Sequence, residues 1–194
     1  MPVRFWPRPC PIIQMEENDF CYSLFPSPVG TIRLISFRGK LTHLLFQKTE
    51  KTRITTVLTQ IKAKSQSFPI KVAQPLRDED QFKHWHNLLN RYFCGERVSF
   101  DEPICLTSGT ILQKKIWSEI TRIPHGVVRS YQDVSNRLGM KKSARVVGGA
   151  CGMNPIPIII PCHRVVQKNG SLGGFRCGIE IKKSLLAVEG YLHA

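Results

Sequence analysis

Hydrophobic and polar residues alternate along the first part of the chain, as they do in half-buried β-strands. The stretch "TIRLISF" at 31–37 alternates, "RGK" predicts a turn, and "LTHLLF" at 41–46 resumes the strand pattern. Residues 50–64 alternate less regularly and favour a short helix. Residues 79–93 predict a helix that ends before Gly95. Its apolar side chains recur at helical spacing: Phe82, Trp85, Leu88, Leu89 and Tyr92.

The later part of the chain carries helical periods instead. Thr110 can cap a helix that runs to about Ile123. A short helix from about Tyr131 closes on Gly139, and after a turn Ser143 can cap a helix with the sequence "ARVVGGACG". Helix, short turn and helix form the helix-turn-helix pattern. The helix capped by Thr110 is expected to group its apolar residues on one face: Ile111, Ile116, Trp117 and Ile120.

Taken together, these patterns predict an α+β protein in two parts. Residues 1–19 read as an irregular extension, residues 20–105 as a small α+β domain with an antiparallel sheet, and residues 109–194 as a helical domain. The last helix is expected over about 178–189 and ends at Gly190.

The segment "NPIPIIIPCHRVV" at 154–166 is the main candidate for chemistry. An aliphatic run ends in Pro161 and is followed at once by Cys162, His163 and Arg164. The run is either a core strand with a polar end or a stiff support for a nucleophile. A thiol reacts as its thiolate, so it needs a base within reach, directly or through one water. Without further context, a Cys-His pair of this kind is more often structural.

Charge distribution adds a second indication. The net charge is +14, and residues 109–194 carry thirteen Lys or Arg against four Asp or Glu. A basic half of this size suggests a polyanionic partner such as nucleic acid, although a formal charge does not show a contiguous patch. Apolar runs are far too short to span a bilayer, so no membrane association is expected. Seven cysteines without zinc-site spacing or an export signal indicate reduced thiols and a cytoplasmic or, in a eukaryote, nuclear location.

The motifs together resemble those of the O6-alkylguanine-DNA alkyltransferases, also called methylated-DNA–protein-cysteine methyltransferases. The core "PCHRV" resembles the family's active-site segment, and "RSYQDVSNRLG", "ARVVGGACGMNP", "GSLGGFRCG" and "KKSLLAVEG" follow the family's order. The resemblance is weaker in "SPVGTIRL" and "LNRYFCGERVSFDEPI". It implies a ribonuclease H-like α+β N-terminal domain and a helical DNA-binding C-terminal domain. It also implies double-stranded DNA carrying O6-alkylguanine as partner, with O4-alkylthymine left open.

The resemblance assigns chemistry to five residues. Cys162 would attack the alkyl carbon on O6 of guanine, and His163 would take its proton through a water. Glu189 would accept a hydrogen bond from the far ring nitrogen of His163. Asn154 would tie the helix-turn-helix to the active-site segment, and Tyr131 would rotate the target phosphate and donate to the leaving base. No cofactor is implied, since the DNA is the alkyl donor, and each molecule would act once.

The DNA-binding residues and the pocket are implied in the same way. Arg145 would enter the base stack in place of a flipped nucleotide, with its helix in the minor groove. Small residues would permit close approach of that helix. The other DNA contacts implied are Tyr131, Ala144, Gly148, Gly149 and Arg129. The implied pocket residues are Pro157, Val165, Phe175 and Arg176.

Several positions depart from the family pattern. Some members have tyrosine at the position of Phe175, so a hydroxyl contact would be absent here. Some members bind structural zinc, but Phe37 and Thr42 occupy two of those ligand positions, so no metal is expected. Cys177 lies at a variable position near the pocket, and Met153 stands where many members have a basic or small residue. The chain is expected to act as a monomer, with cooperative binding to DNA left open.

Other functional classes remain as alternatives. A lesion-binding relative without catalysis would lack the nucleophile, whereas this chain has Cys162, His163 and Glu189. A transcriptional regulator would carry an added sensor module, and the extension at 1–19 is too short for one. A thiol hydrolase of another fold would turn over an ester substrate.

Overall fold

The protein is described here by a computed structural model that covers residues 19–46 and 76–191. The extension expected at 1–19, apart from Asp19, and the helix expected at 50–64 lie outside the described residues. Within the described part, no helix is both long and apolar enough to cross a membrane.

A four-stranded sheet forms the N-terminal part. It contains β1 (Phe20–Ser27), β2 (Gly30–Phe37), β3 (Lys40–Phe46) and β4 (Leu76–Arg77), in the spatial order β3-β2-β1-β4. The two predicted strands around "RGK" pair as an antiparallel hairpin, as expected. The short edge strand β4 pairs with β1 in parallel, so the sheet is mixed rather than purely antiparallel. Helix α1 (Lys83–Phe93) packs on the sheet and starts later than the sequence pattern predicted.

The C-terminal part is mainly helical. Its elements in chain order are α2 (Ile111–Ile120), β5 (Arg129–Ser130), α3 (Tyr131–Arg137), α4 (Ala144–Gly152), a 3-10 helix (Cys162–Arg164), β6 (Val165–Val166) and α5 (Ile179–Val188). Helices α3 and α4 are the predicted helix-turn-helix pair and pack against each other.

The structure has the expected side-chain helix cap at Thr110 but not the one expected at Ser143. Thr110 caps α2 as predicted, because its hydroxyl accepts from Gln113 N while the Gln113 side chain accepts from Thr110 N. Ser143 precedes α4 but makes no side-chain cap, since its hydroxyl donates to the Lys141 carbonyl. The expected apolar face of α2 is also incomplete, because Ile111 is 79% exposed.

One hydrophobic core joins the two parts of the molecule. It contains Leu44 from the sheet, Leu89 from α1, and Ile160 and Leu185 from the C-terminal part. A backbone hydrogen bond of 3.0 Å from Leu44 N to the Pro155 carbonyl links the sheet to the active-site segment. The N-terminal part therefore supports the segment that carries Cys162.

The cysteines are not all reduced, contrary to the sequence-based expectation. Cys94, Cys151 and Cys162 are free thiols, whereas Cys105 is disulfide-bonded. The spacing of cysteines along a sequence does not show which of them meet in space, which is why the expectation failed.

Candidate active site

The aliphatic segment before Cys162 is a set of buried turns, not a strand. Residues 154–166 are all buried, and Ile158 has a positive φ of 75°, a conformation that is unfavourable for a β-branched residue. The chain then tightens into the 3-10 helix, where Cys162 N donates to the Ile160 carbonyl at 2.7 Å. The segment is therefore a support fixed in the core, with the 3% exposed Cys162 at its end.

Asn154 fastens this support to the end of α4. Its amide nitrogen Nδ2 donates to the Ile160 carbonyl at 2.7 Å and to Cys162 Sγ at 3.0 Å, and its Oδ1 accepts from Ile156 N at 3.0 Å. The Asn154 side chain thus binds the backbone on both sides of the strained residue Ile158 and also contacts the thiol. The predicted tie between the helix-turn-helix and the active-site segment is present.

Replacing Asn154 by Asp should destabilise the protein and slow alkylation of Cys162. A carboxylate oxygen would face the Ile160 carbonyl and the sulfur, and each unsatisfied buried group costs roughly 1–3 kcal/mol. The added negative charge would also raise the pKa of the thiol. Urea unfolding and the pH dependence of iodoacetamide alkylation measure both effects. Asn169→Asp is the matched control, because exposed Asn169 uses its oxygen only to accept from Ser171 N; equal losses in both variants would contradict this role.

His163 and Glu189 are in direct contact, the contact that the family resemblance implies. The distance from His163 Nε2 to Glu189 Oε1 is 2.8 Å, and both side chains are fully buried. A carboxylate only accepts hydrogen bonds, so Nε2 carries the proton and Nδ1 is left as an acceptor in the neutral ring. His163 Nδ1 is buried and has no hydrogen-bond partner within the described ranges.

Glu189 is the most heavily hydrogen-bonded group of the site. Three residues besides His163 donate to it. Arg164 donates through Nε and Nη2, and the shortest contact of each nitrogen is 2.9 Å. The Tyr92 hydroxyl donates at 2.9 Å and Gly126 N at 3.1 Å. An added Cβ at Gly126 would lie 2.9 Å from the Glu189 carbonyl, so this close approach requires glycine. Five donors, four of them outside the predicted His163 contact, hold one carboxylate.

The protonation states follow from this environment. Burial alone would raise the pKa of Glu189, but the hydrogen bonds from His163 and Arg164 and the charge of Arg164 outweigh it and hold that pKa well below its usual range. Burial lowers the pKa of His163 despite the opposing effect of Glu189. Arg164 already balances the charge of Glu189, so His163 is neutral at pH 7 and can take up a proton.

Stability should therefore fall as the pH drops below about 6.5, the ordinary pKa of histidine. The folded-state pKa of His163 is lowered, so its contribution is present above that pH and is lost as the pH falls toward the folded-state pKa. Each such histidine contributes at most about 1.4 kcal/mol per pH unit. Urea unfolding of His163→Gln should show a shallower pH slope than the parent, whereas Asn90→Gln, at an exposed position of α1 with no titratable side chain, should not; parallel slopes would contradict this.

Cys162 is not a thiolate in the unliganded protein. Burial raises its pKa to about 12, although the hydrogen bond from Asn154 partly opposes the shift. Lys182 is also fully buried nearby, where Nζ donates to the Val165 carbonyl at 2.6 Å and its charge lowers the pKa of the thiol. The nucleophile is therefore stored as a thiol and has to be deprotonated when it reacts.

A cavity of about 890 Å³ opens above Cys162, between α3, α4 and the loop at 173–176. Seven of the predicted site residues line it: Tyr131, Ala144, Arg145, Gly148, Cys162, Phe175 and Arg176. Pro157 and Val165 do not line it, which corrects the predicted pocket. Both are buried, and the Val165 carbonyl accepts a hydrogen bond from Lys182 Nζ. Arg129 lies outside the lining as well, in β5.

Tyr131 stands on one wall of the cavity. Its hydroxyl donates to the Gly174 carbonyl at 3.4 Å, and Lys182 Nζ lies 5.9 Å from its ring centroid. Burial raises the pKa of Tyr131 to about 12, so the phenol keeps its proton at neutral pH. A neutral hydroxyl in this place can donate to a base in the cavity.

The outer face of α4 is open and lacks bulk. Arg145 and Gly149 are exposed, and an added Cβ at Gly149 would meet no atom within 4 Å. At Gly148, the nearest atom would be Tyr131 Cε1 at 3.8 Å, an ordinary contact. Packing within the protein therefore does not require glycine at either position. We interpret the two glycines as permitting the close approach of a molecule that binds to this face of the helix.

The two positions that bear on a structural zinc ion, Phe37 and Thr42, lie in the sheet. Thr42 is buried and donates to the Ile35 carbonyl at 3.0 Å, and Phe37 is in the small cluster with Phe20. Neither can ligate zinc. Over residues 19–46 and 76–191, no group of three His, Cys, Asp or Glu side chains is arranged for a metal.

Two family matches cover nearly the whole described chain. Residues 20–106 match the 6-O-methylguanine DNA methyltransferase, ribonuclease-like domain, and residues 111–191 match the 6-O-methylguanine DNA methyltransferase, DNA binding domain. The chain belongs to the 6-O-methylguanine DNA methyltransferase family. The α+β architecture with a helical C-terminal part agrees with this assignment.

Relatives support the same family. The methylated-DNA–protein-cysteine methyltransferase of Methanosarcina acetivorans is 35% identical over 87% of this chain and 97% of its own length. The crystal structure of Mycobacterium tuberculosis O6-methylguanine methyltransferase has a TM-score of 0.73 at 33% identity, covering 90% of this chain and 96% of the other. The M. tuberculosis OGT solved in complex with DNA has a TM-score of 0.69 at 33% identity, with 87% and 92% covered.

The sequence reasoning missed four residues of the site. Arg164 and Tyr92 bind Glu189, Lys182 holds the Val165 carbonyl, and Cys151 lines the cavity with Cys162. Arg164 was within the quoted motif and could have been assigned to Glu189 by charge. Tyr92 followed an ordinary core pattern on its helix, and no sequence signal distinguished it.

Proposed function

We propose that this methyltransferase repairs double-stranded DNA by moving the alkyl group from O6 of guanine to Sγ of its own Cys162. The arrangement that carries the proposal is the thiol at the base of an open cavity, held by Asn154 and followed by a neutral histidine on a buried carboxylate. The names of the relatives, which describe methylated DNA as substrate and a protein cysteine as acceptor, support the same reaction.

The reaction balances without a cofactor. The thiol proton passes through a water to His163 Nδ1, and Glu189 stabilises the resulting imidazolium through Nε2. The sulfur forms a bond to the alkyl carbon as the bond from that carbon to O6 breaks. The guanine takes a proton from the Tyr131 hydroxyl and leaves repaired. The proton held by His163 returns to Tyr131 through solvent, so the net result is transfer of the thiol proton to the guanine. A thioether is a poor leaving group, so each molecule reacts once.

The DNA-facing residues support flipping of the damaged base. O6 of guanine cannot reach a buried thiol from within a stacked duplex, so the nucleotide has to enter the cavity. Arg145 is exposed on α4 and would occupy the gap in the stack, and Gly148 and Gly149 would permit the helix to approach the narrow minor groove. We expect the protein to act in the compartment that holds DNA, which is the cytoplasm or, in a eukaryote, the nucleus.

The reaction is tested by the intact mass of the protein before and after incubation with duplex DNA containing O6-methylguanine. A gain of one methyl group, located by peptide mapping on the peptide with Cys162, is expected. Binding of the lesion without any mass gain would favour the alternative of a non-catalytic lesion-binding protein. A gain on another residue would contradict the assignment of Cys162.

Replacing Gly149 by Ala should stabilise the protein and weaken DNA binding. Alanine in a helix interior is favoured over glycine by roughly 0.5–1 kcal/mol, and space is available for its methyl group. The same methyl group would hold the helix away from the groove, and we expect about a three- to tenfold loss of affinity. Thermal unfolding and fluorescence anisotropy measure the two effects. Asn90→Ala, on an exposed position of α1, is the control and should change stability alone.

A further inference from the structure

The N-terminal part of the chain contributes one polar group to the buried site. Tyr92 lies in the last turn of α1, within residues 20–106, whereas Glu189 and His163 lie in the C-terminal part. The Tyr92 hydroxyl donates to Glu189 Oε1 at 2.9 Å and lies 3.4 Å from His163 Nε2. Its side chain has no solvent exposure.

We propose that Tyr92 is a positioning residue for alkyl transfer: its hydroxyl fixes the Glu189 carboxylate and thereby the ring and tautomer of His163. The inference rests on the proposed function, since it assigns His163 as the base. It makes the reacting centre dependent on both parts of the chain, because the C-terminal part alone leaves Oε1 without this donor.

The arrangement of donors around Glu189 explains why a hydroxyl is needed. Arg164 binds along one edge of the carboxylate and reaches both oxygens, while Gly126 N binds Oε2. Oε1 therefore has to be shared between His163 and Arg164. The Tyr92 hydroxyl donates to the same oxygen as His163 and so keeps the carboxylate from rotating toward Arg164.

The hydroxyl keeps its proton under working conditions. Burial and the charge of Glu189 raise the pKa of Tyr92 well above its ordinary value. The other charged or titratable groups near the relay are Arg164, His125 from the loop before β5, and Lys182 from α5. Tyr92 therefore donates at every pH at which His163 titrates.

The ring of Tyr92 has a separate, structural role. It packs against Phe93, Phe100 and His125 with centroid distances of 5.3, 6.1 and 6.1 Å. Tyr92→Phe keeps this packing and removes the hydroxyl alone. Phe100→Leu does the opposite, because it loosens the packing and keeps the hydroxyl.

The test is single-turnover methyl transfer from O6-methylguanine duplex DNA, measured between about pH 5.5 and 8.5 for the full chain and three variants. Without the Tyr92 donor, the Glu189 carboxylate becomes more basic and the imidazolium is favoured. Tyr92→Phe should therefore move the acid limb of the pH profile to higher pH. Its plateau rate should be lower by roughly ten- to hundredfold, the effect of losing one hydrogen bond to a charged group.

The controls separate the hydroxyl from packing. Tyr22→Phe, in β1, should leave the rate and the pH profile unchanged, and Phe100→Leu should lower thermal stability without moving the pH profile. An unchanged profile in Tyr92→Phe, or the same shift in Phe100→Leu, would overturn the proposal. If the parent protein transfers no methyl group to Cys162, the proposed function fails instead, which is a distinct result.

Discussion

Glu189→Gln should lower the free energy of unfolding by about 3–5 kcal/mol and slow methyl transfer by at least about a hundredfold. The substitution keeps the size of the side chain but removes the charge that balances Arg164, whose side chain is 10% exposed. An uncompensated buried guanidinium accounts for the loss of stability.

The loss of activity has a separate cause. The amide introduced by the substitution would present either an NH₂ group or a carbonyl to His163 Nε2, and neither carries the charge that stabilises an imidazolium. The proton of Cys162 would then have a weaker acceptor, while burial still raises the pKa of the thiol to about 12. Urea unfolding and single-turnover transfer measure the two effects on one preparation.

The matched control is Glu180→Gln at the start of α5. Glu180 is exposed and pairs with Lys183 at 3.1 Å, an interaction worth at most about 1 kcal/mol. This variant should transfer methyl at the rate of the parent protein. If Glu189→Gln were as stable and as active as the control, Glu189 would have neither role.

The parts of the site that could be predicted from sequence lie in short, continuous motifs. Asn154, Cys162 and His163 fall within thirteen residues, and their relation is fixed by local turns. Glu189 was assigned only through the resemblance, but it ends a helix whose position was clear from periodicity. The strands around "RGK" and the Thr110 cap were predicted for the same reason, because their hydrogen bonds are local.

The parts that could not be predicted depend on contacts between distant segments. Tyr92 is 97 residues from Glu189 in sequence, and its position on α1 fitted a core aromatic equally well. Lys182 carries a charge, and charged side chains are mostly exposed, yet it is fully buried and donates to two carbonyls. The family motif implies Pro157 as a pocket residue, whereas in the structure it is buried and does not line the cavity. Such outcomes are set by tertiary packing, which overrides the local pattern.

Cys162→Ala should abolish methyl transfer while the protein still binds DNA with O6-methylguanine. The cavity walls, including Tyr131, Arg145 and Phe175, are unaffected by the change, so the flipped base can still be accommodated. No other group in the cavity, as far as the described residues line it, combines a sulfur nucleophile with a neighbouring base. Transfer of a radiolabelled methyl group and anisotropy with the same duplex distinguish chemistry from binding.

Two further thiols near the cavity make this a demanding test. Cys151 lines the cavity, and Cys177 follows the lining residue Arg176, so both thiols are tested as rival acceptors. Burial raises the pKa of Cys151 as well as that of Cys162, and the Asn154 amide contacts Cys162 Sγ. Cys151→Ala and Cys177→Ala should therefore transfer methyl within about threefold of the parent rate, less than about 1 kcal/mol. Label on either thiol in Cys162→Ala would show that the cavity, not the Asn154-His163 arrangement, selects the acceptor.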